Sequence, residues 1–218
     1  MDQDQAIIPT DVSSSVQKYD AQTFNDMAAG GFLPRVQLMI ASASACKSGE
    51  FPINHYALIK NQNKTDLGKE VDIIVIAWKP KAMDTSGDEV IVSHKPKTPL
   101  FDSIVAKSAI KDSGCMQGPE FLIYVPTVKK YATFFLGTKS ARREASNVLG
   151  RLGKAATLKS RNVQWKGFDW YAPVCIACTG AFELPATEEI IAQANKFNTD
   201  TDSELEEAVA TGGDEQAR

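Results

Sequence analysis

The hydrophobic residues of the first two thirds of the chain occur in short runs that are rich in β-branched and aromatic side chains. Turn-forming pairs such as Ser48-Gly49 and Gly118-Pro119 separate these runs. Runs of this kind between turns are typical of β-strands. The pattern predicts six strands, at residues 35–40, 55–60, 71–79, 89–93, 121–125 and 131–136.

The spacing of the apolar residues changes after residue 140, where one side of a helix is predicted. The stripe consists of Ala141, Ala145, Val148, Leu149 and Leu152, and this spacing is that of a helix face. Gly153 is well placed to end the helix. Two more strands are predicted at residues 155–163 and 168–179. A last helix is predicted from Thr187 to about Phe197. Thr187 has the residue type of an N-cap, and acidic residues follow it in the first turn.

This order of elements predicts an α+β domain that is mainly β. Several strands, one helix and two further strands match the oligonucleotide-binding (OB) barrel, in which the helix lies between the third and fourth strands. We expect one OB-like nucleic-acid-binding domain over residues 31–198. A flexible arm over residues 1–30, with at most a short helix near residues 20–29, and a disordered acidic tail over residues 199–218 complete the predicted organisation.

Length and composition place the chain among globular proteins. Its 218 residues, 43% of them hydrophobic, are enough for one buried core. No apolar run approaches the roughly 18 residues of a membrane span, and the first thirty residues carry five aspartates where a signal peptide needs positive charge. We therefore expect a soluble cytoplasmic protein without membrane contact. The four cysteines are too sparse for a disulfide framework and are expected to be reduced.

The net charge of −3 conceals two zones of opposite sign. The range from Lys129 to Lys166 contains ten basic residues and one acid, Glu144, which gives a net charge of +9. The range from Glu183 to the end contains ten acids and two basic residues, which gives a net charge of −8. A cluster of cations on one surface attracts a phosphodiester backbone and releases its counterions. The basic zone thus predicts a polyanion-binding surface, with ordinary solvated lysines and arginines as the alternative.

Aromatic residues are interleaved with the cations of the basic zone. Single-stranded nucleic-acid binders need this combination, because cations follow the backbone while exposed rings stack on bases. Neighbouring residues of a strand point to opposite faces, so the rings of residues 165–171 cannot all be buried. We select Tyr131, Trp165 and Trp170 as stacking residues. The predicted nucleic-acid-binding residues are Lys129, Lys130, Tyr131, Lys139, Arg142, Arg143, Arg151, Lys154, Lys159, Arg161, Trp165, Lys166 and Trp170.

Motifs for metal binding or catalysis are weak. Cys175 and Cys178 have zinc-ligand spacing, but a single CxxC in a strand-like run is also the pattern of two small buried hydrophobic residues. Two histidines, no nucleophile elbow and no closely spaced carboxylate group in the folded region give catalysis little support. The sequence therefore predicts a binding protein without enzymatic activity and without a cofactor.

The basic aromatic domain followed by an acidic C-terminus resembles the single-stranded DNA-binding proteins encoded by bacteriophages. Residues 118–122, Gly-Pro-Glu-Phe-Leu, and residues 139–144, Lys-Ser-Ala-Arg-Arg-Glu, also resemble phage replication-region proteins. The resemblance implies a viral protein that coats single strands during DNA replication or recombination in the host cytoplasm. It implies an acidic tail that meets replication or recombination proteins, although residues 215–218, Glu-Gln-Ala-Arg, lack the apolar tip typical of such tails.

Two other functions remain open at this point. The chain could be a structural or assembly protein, a homo-oligomer whose basic face docks on an acidic protein partner. It could also be a metal-dependent nuclease, for which Asp112 and Glu120 are isolated candidate acids. RNA is an alternative to DNA as the bound strand, because cations and rings serve both.

Overall fold

The computed structural model of the protein describes residues 16–20, 33–60, 63–180 and 182–199. The described strands are β1 Val16–Asp20, β2 Arg35–Leu38, β3 Tyr56–Lys60, β4 Asn63–Gly68, β5 Val71–Asp84, β6 Glu89–Ser93, β7 Cys115–Val125, β8 Lys130–Phe135, β9 Lys154–Trp165 and β10 Phe168–Ala177. The described α-helices are α1 Ser44–Lys47, α2 Pro99–Lys107, α3 Lys139–Arg142, α4 Ala145–Leu149 and α5 Thr187–Thr199. None of these helices is long and apolar enough to cross a membrane.

All ten described strands belong to one sheet. Its continuous order is β1-β6-β5-β7-β8-β2-β3-β4, and β9 adds to β5 and carries β10 at its other edge. Neighbouring strands are antiparallel except for β2 and β8, which are parallel. The sheet forks at β5, because its first residues pair with β9 and its last residues pair with β6 along the same edge. The fold is therefore mainly β, as predicted, with a sheet curled into a half-barrel.

The main hydrophobic core lies inside this curl. It contains Ile73 of β5 together with Phe121, Val148 and Leu158. Two hydrogen bonds join segments that are not neighbours in the sheet. The Tyr56 hydroxyl donates to the Lys159 carbonyl at 2.7 Å, and the Ser160 hydroxyl donates to the Asn54 side chain. These bonds link the start of β3 to β9 across the core.

The opposite face of β5, β7 and β8, here called the outer sheet face, is covered by α5. Phe197 of α5 packs against a second cluster formed by Ile74, Leu122, Tyr124 and Tyr131. A cleft remains between α5 and the fork of the sheet. Apolar residues thus lie on both faces of the central strands, which explains why residues 121–125 are a continuous hydrophobic run rather than an alternating one.

The eight strands predicted from the sequence are present with shifted ends, whereas the predicted helix over the 141–152 stripe is interrupted. It divides into α3 and α4 because Glu144 turns into the protein, where its carboxylate accepts a hydrogen bond from the backbone N–H of Cys175 at 3.1 Å. Among the helices and strands, β1, β4, α1 and α2 are those that the sequence pattern did not predict. The helix expected near residues 20–29 and the tail from residue 200 lie outside the described residues.

Four ionisable side chains meet beside β5 and β7. Lys81 Nζ donates to Glu120 Oε1 at 2.6 Å, and both side chains are largely buried. Burial alone would raise the pKa of Glu120, but the neighbouring cations, Lys81 first, lower it. Burial lowers the pKa of His94 to about 4, and the charges of Glu120, Lys79 and Lys81 act on it as well. His94 Nδ1 donates to the Pro80 carbonyl at 2.9 Å, so His94 is held neutral.

Replacing His94 by Gln is predicted to flatten the pH dependence of stability below pH 6.5. The pKa of His94 is about 4 in the folded protein against an ordinary 6.5, so the unfolded chain takes up the proton first as the pH falls. His94 therefore costs no stability above about pH 6.5 and destabilises the fold increasingly towards pH 4, by roughly 2 kcal/mol at about pH 4.5. Urea unfolding at about pH 7 and 4.5 measures the loss. Equal losses in wild type and His94→Gln would contradict this assignment.

Gly118→Ala is predicted to lower the free energy of unfolding by about 2–3 kcal/mol, because a Cβ there overpacks the backbone. The added atom would overlap the Leu136 carbonyl oxygen and lie 3.2 Å from Cγ of Arg142. Leu136 cannot retreat freely, since its N–H donates to the Pro119 carbonyl at 3.0 Å. Gly150→Ala is the matched control, because its Cβ would meet its nearest atom at 3.4 Å. Equal urea midpoints for the two variants would refute the prediction.

Candidate nucleic-acid interface

The β9–β10 hairpin extends beyond the strand that supports it. β9 pairs with β5 only from Lys154, opposite Val75, to Leu158, opposite Val71. Its pairing with β10 continues without a register shift as far as Trp165. Residues 159–174, here called the arm, therefore form a two-stranded ribbon that continues past the end of β5.

The tip of the arm is a two-residue turn. Lys166 and Gly167 have φ values of 48° and 80°, and two consecutive positive φ values define the type I′ turn that matches the twist of a hairpin. This turn fixes the register, so that Trp165 lies opposite Phe168 and Val163 opposite Trp170. Lys166 is exposed at the tip.

One face of the arm, here called the arm face, brings cations and rings together. Residues directly opposite each other in antiparallel strands share a face, and the register puts these pairs on it: Lys159 with Val174, Arg161 with Ala172, Val163 with Trp170, and position 165 with Phe168. Phe168 is 71% exposed, Arg161 is exposed, and Trp170 is half-buried. The side chain of Trp165 lies outside what the structure describes. The arm face therefore offers a solvent-accessible phenyl ring at the tip and an accessible guanidinium nearer the base, with Trp170 between them.

The other face of the arm turns towards the core. Tyr171 packs against the main core, and Ser160 bonds to Asn54. Trp170 and Tyr171 thus point to opposite faces, which confirms the sequence argument that the rings of this stretch cannot all be buried. The hydrogen bond from Tyr56 to the Lys159 carbonyl anchors the base of the arm from the same side.

The arm face lies on the same side of the sheet as α5. Ala155 is opposite Ile74 in the sheet and lines the cleft that Ile190 of α5 also lines. Side chains alternate along β9, so Lys159 and Arg161 follow Ala155 on this side. The arm face and the outer sheet face are consequently two parts of one side of the protein.

Carboxylates contact two of the predicted binding cations. Lys159 Nζ lies 2.9 Å from Glu70 Oε1. Lys129 Nζ, in the turn between β7 and β8, donates to Glu183 Oε2 at 3.0 Å, and this bond raises the pKa of Lys129. All four side chains are exposed, and exposed pairs of this kind contribute little stability. They can therefore open when another anion approaches.

The remaining predicted cations do not all share the arm face. Lys139 and Arg143 are exposed on the α3–α4 segment, whose apolar residues pack into the core inside the curl. Arg142 is tied to the backbone, donating to the carbonyls of Gln117 and Gly137 at 2.7 Å each. The basic residues of the zone thus fall into three groups. One lies on the arm, one in the β7–β8 turn with Lys129 and Lys130, and one on the α3–α4 segment with Arg151. Lys154, the first residue of β9, is exposed and belongs to none of these groups.

Tyr131, predicted as a stacking residue, is covered in the structure described. The residue is 9% exposed and its ring lies 5.1 Å from that of Tyr124, tilted by 57°. The reason is that both faces of β8 are covered, the outer one by α5, so that alternation leaves no free side for the ring.

The two cysteines of the CxxC motif have different surroundings. Cys175 is buried in the main core, and burial raises its pKa to about 11. Cys178 instead lies beyond the end of β10, where its Sγ is 3.4 Å from Asp72 Oδ1. Within the described ranges, no group of three or more His, Cys, Asp or Glu residues is arranged to hold a metal ion.

Phe168 is the site residue that the sequence analysis did not select. The signal for it was present in Lys166-Gly167, because a two-residue turn ending in glycine fixes the register of a hairpin. That register alone puts Phe168 and Trp170 on one face with Arg161.

No known family model, curated protein or solved structure matches the chain.

Proposed function

We propose that the protein binds single-stranded DNA with little sequence preference and that the arm face is its primary contact. The observation that carries this proposal is the arrangement on the arm face, where exposed Phe168 and half-buried Trp170 share one face with Arg161 and Lys159. Cations attract the phosphates and the rings stack on bases, at roughly 1–3 kcal/mol per base. Because an aromatic ring can stack on any base, binding of this kind has little sequence preference.

A single strand fits this face better than a duplex. The bases of a duplex are stacked on each other, whereas Phe168 is accessible over most of its surface and needs an unpaired base to cover it. Within this proposal the curled sheet has the role of the predicted OB barrel, with α3 and α4 between β8 and β9. The protein would coat single strands during replication or recombination, and RNA would compete if the 2′-hydroxyl is tolerated.

The acidic tail has a regulatory part in this proposed function. Residues 199–218 carry seven acids and Arg218, and such a segment competes with nucleic acid for cations. The existing contact of Lys129 with Glu183 supports this role, since it already pairs the acidic zone with the basic one. Removal of residues 200–218 should therefore strengthen binding at low salt.

Docking on a protein is the second candidate function. Two large apolar side chains in and near α5 favour it, because Leu184 is 62% exposed and Ile191 is 54% exposed, and exposed apolar groups are used in protein contacts. This function predicts a stable oligomer or complex and unchanged tryptophan fluorescence on addition of DNA.

Phe168→Ala and Arg161→Ala are predicted to weaken binding of poly-dT in different ways. Loss of the ring removes a stacking contact and should lower the affinity roughly five- to 150-fold at constant salt. Loss of the guanidinium should also reduce the slope of log K against log salt by about 0.7, the value for one phosphate contact on a single strand. Titrations followed by tryptophan fluorescence at several salt concentrations measure both.

The matched controls are Ile110→Ala and Lys47→Ala. Ile110 is 64% exposed and Lys47 is exposed on α1, so the two controls remove an apolar and a basic side chain that are not part of the arm. Both controls should bind like the wild type. Failure of the wild type to bind poly-dT at low salt would overturn the proposed function, and equal losses in controls and arm variants would overturn the assignment to the arm.

A further inference from the structure

Helix α5 is anchored on the outer sheet face through Phe197. Phe197, at 4% exposure, is buried, whereas Ile190 and Ala194 are half-buried and Ile191 is mostly exposed. Lys79 adds to the attachment, because its Nζ donates to the Phe197 carbonyl at 2.8 Å and lies 4.2 Å from the centroid of the Phe197 ring. One aromatic side chain and one lysine therefore fix the C-terminal part of the helix on the sheet.

The surface beneath α5 combines rings with cations. Tyr124 and Tyr131 lie side by side, with centroids 5.1 Å apart. Lys81 Nζ lies 5.2 Å from the centroid of the Phe135 ring, and Lys79 lies in the same strand, β5. Rings and cations on the face of a sheet are what proteins use to bind single-stranded nucleic acid. In the structure described, α5 occupies the place that bases would take.

The fit between α5 and this surface is incomplete. The hydroxyl of Tyr131 is buried and lacks a well-formed hydrogen bond to the described residues. Burial first, and then the nearby carboxylate of Glu189, raise the pKa of Tyr131 to about 12. Burying a polar group without a good hydrogen bond is unfavourable. Next to α5 an open cleft of about 370 Å³ remains, and its lining includes Ile74, Phe182 and Ile190.

Helix α5 and the segment before it carry negative charge, as a competitor of nucleic acid for cations would. Glu188 and Glu189 lie in the first turn of α5, and Glu183 just before it contacts Lys129. The side of the sheet below contributes Lys79 and the ion pair of Lys81 with Glu120. A polyanion arriving at the arm would meet the same cations and would repel these carboxylates.

We infer that α5 is a displaceable cover over a second binding surface for single-stranded nucleic acid, formed by Tyr124, Tyr131 and Lys79. The inference rests on the proposed function and extends it. A strand bound along the arm face continues onto the outer sheet face, because both lie on one side of the protein and meet near Ala155. Release of Phe197 from its cluster uncovers the two tyrosine rings, which then stack on bases.

Hydrogen exchange of the full-length chain, alone and saturated with oligo-dT, tests the inference. Displacement predicts that the amides of α5, residues 187–199, exchange at least about tenfold faster in the complex than in the free protein. The amides of β5 and β7 should be unchanged, since these strands keep their neighbours. Exchange in α5 that is unchanged or slower in the saturated complex would overturn the inference.

Phe197→Ala gives a second and independent measurement. Loss of the anchor should favour the uncovered state and tighten oligo-dT binding about three- to tenfold. Ile191→Ala is the matched control on the same helix, because its side chain is mostly exposed, and its affinity should equal that of the wild type. A folded Phe197→Ala variant that binds no better than Ile191→Ala would contradict the inference.

The two proposals fail in different ways. If the full-length wild type binds no oligo-dT at all, the proposed function is wrong. If it binds through the arm, as shown by the loss on Phe168→Ala, while α5 stays protected, only the second surface is wrong. Faster exchange of α5 together with tighter binding by Phe197→Ala supports both.

Discussion

The offset between β5 and the β9–β10 hairpin, which extends past the first residue of β5, determines where accessible rings and cations meet in this protein. β5 supports β9 over five residue pairs, while the hairpin continues to a tight turn at Lys166-Gly167. Past Val71 no residue of β5 lies beside the hairpin. Arg161, Lys166 and Phe168 therefore stay accessible in a protein whose central rings, such as Phe121, are buried. Anchoring by Tyr56 and Ser160 at the base holds this ribbon in place.

The same sheet explains why the charge of the basic zone is divided. The segment between β8 and β9 must cross the inside of the curl, so its apolar stripe enters the core and Lys139 and Arg143 face away from it. Lys159 and Arg161 of β9 alternate with core residues such as Leu158 and thus lie on the α5 side. Arg142 has a structural role, because its guanidinium bonds to two backbone carbonyls. In the part of the chain that the structure describes, the cations of the zone do not line a single groove, and the arm is where cations and accessible rings coincide.

Sequence patterns predicted the strands well where side chains are β-branched or aromatic. Residues 89–93 and 168–177 are such cases, since their hydrophobic content is high and turns bound them. β4 was missed because Asn63, Lys64, Thr65 and Asp66 are exposed and polar, so no alternation marks this strand. The division of the 141–152 helix depends on the buried carboxylate of Glu144, whose partner at Cys175 is thirty-one residues away. Such long-range contacts leave no local pattern.

The candidate site was only partly predictable for the same reason. Trp170 and Arg161 were selected on composition, and the turn at Lys166-Gly167 would also have indicated Phe168. The burial of Tyr131 could not be foreseen, because it requires α5 to pack on β8 from far along the chain. Nothing in the local sequence around Tyr131 distinguishes a covered ring from an exposed one.

Photocrosslinking of a single-stranded oligonucleotide to the full-length protein, with the crosslinked peptides mapped by mass spectrometry, tests the central claim most directly. We predict that the most abundant crosslinks at low salt lie in the arm, at Phe168 and Trp170. Crosslinks concentrated on the α3–α4 segment around Arg143 instead, with none in the arm, would contradict it.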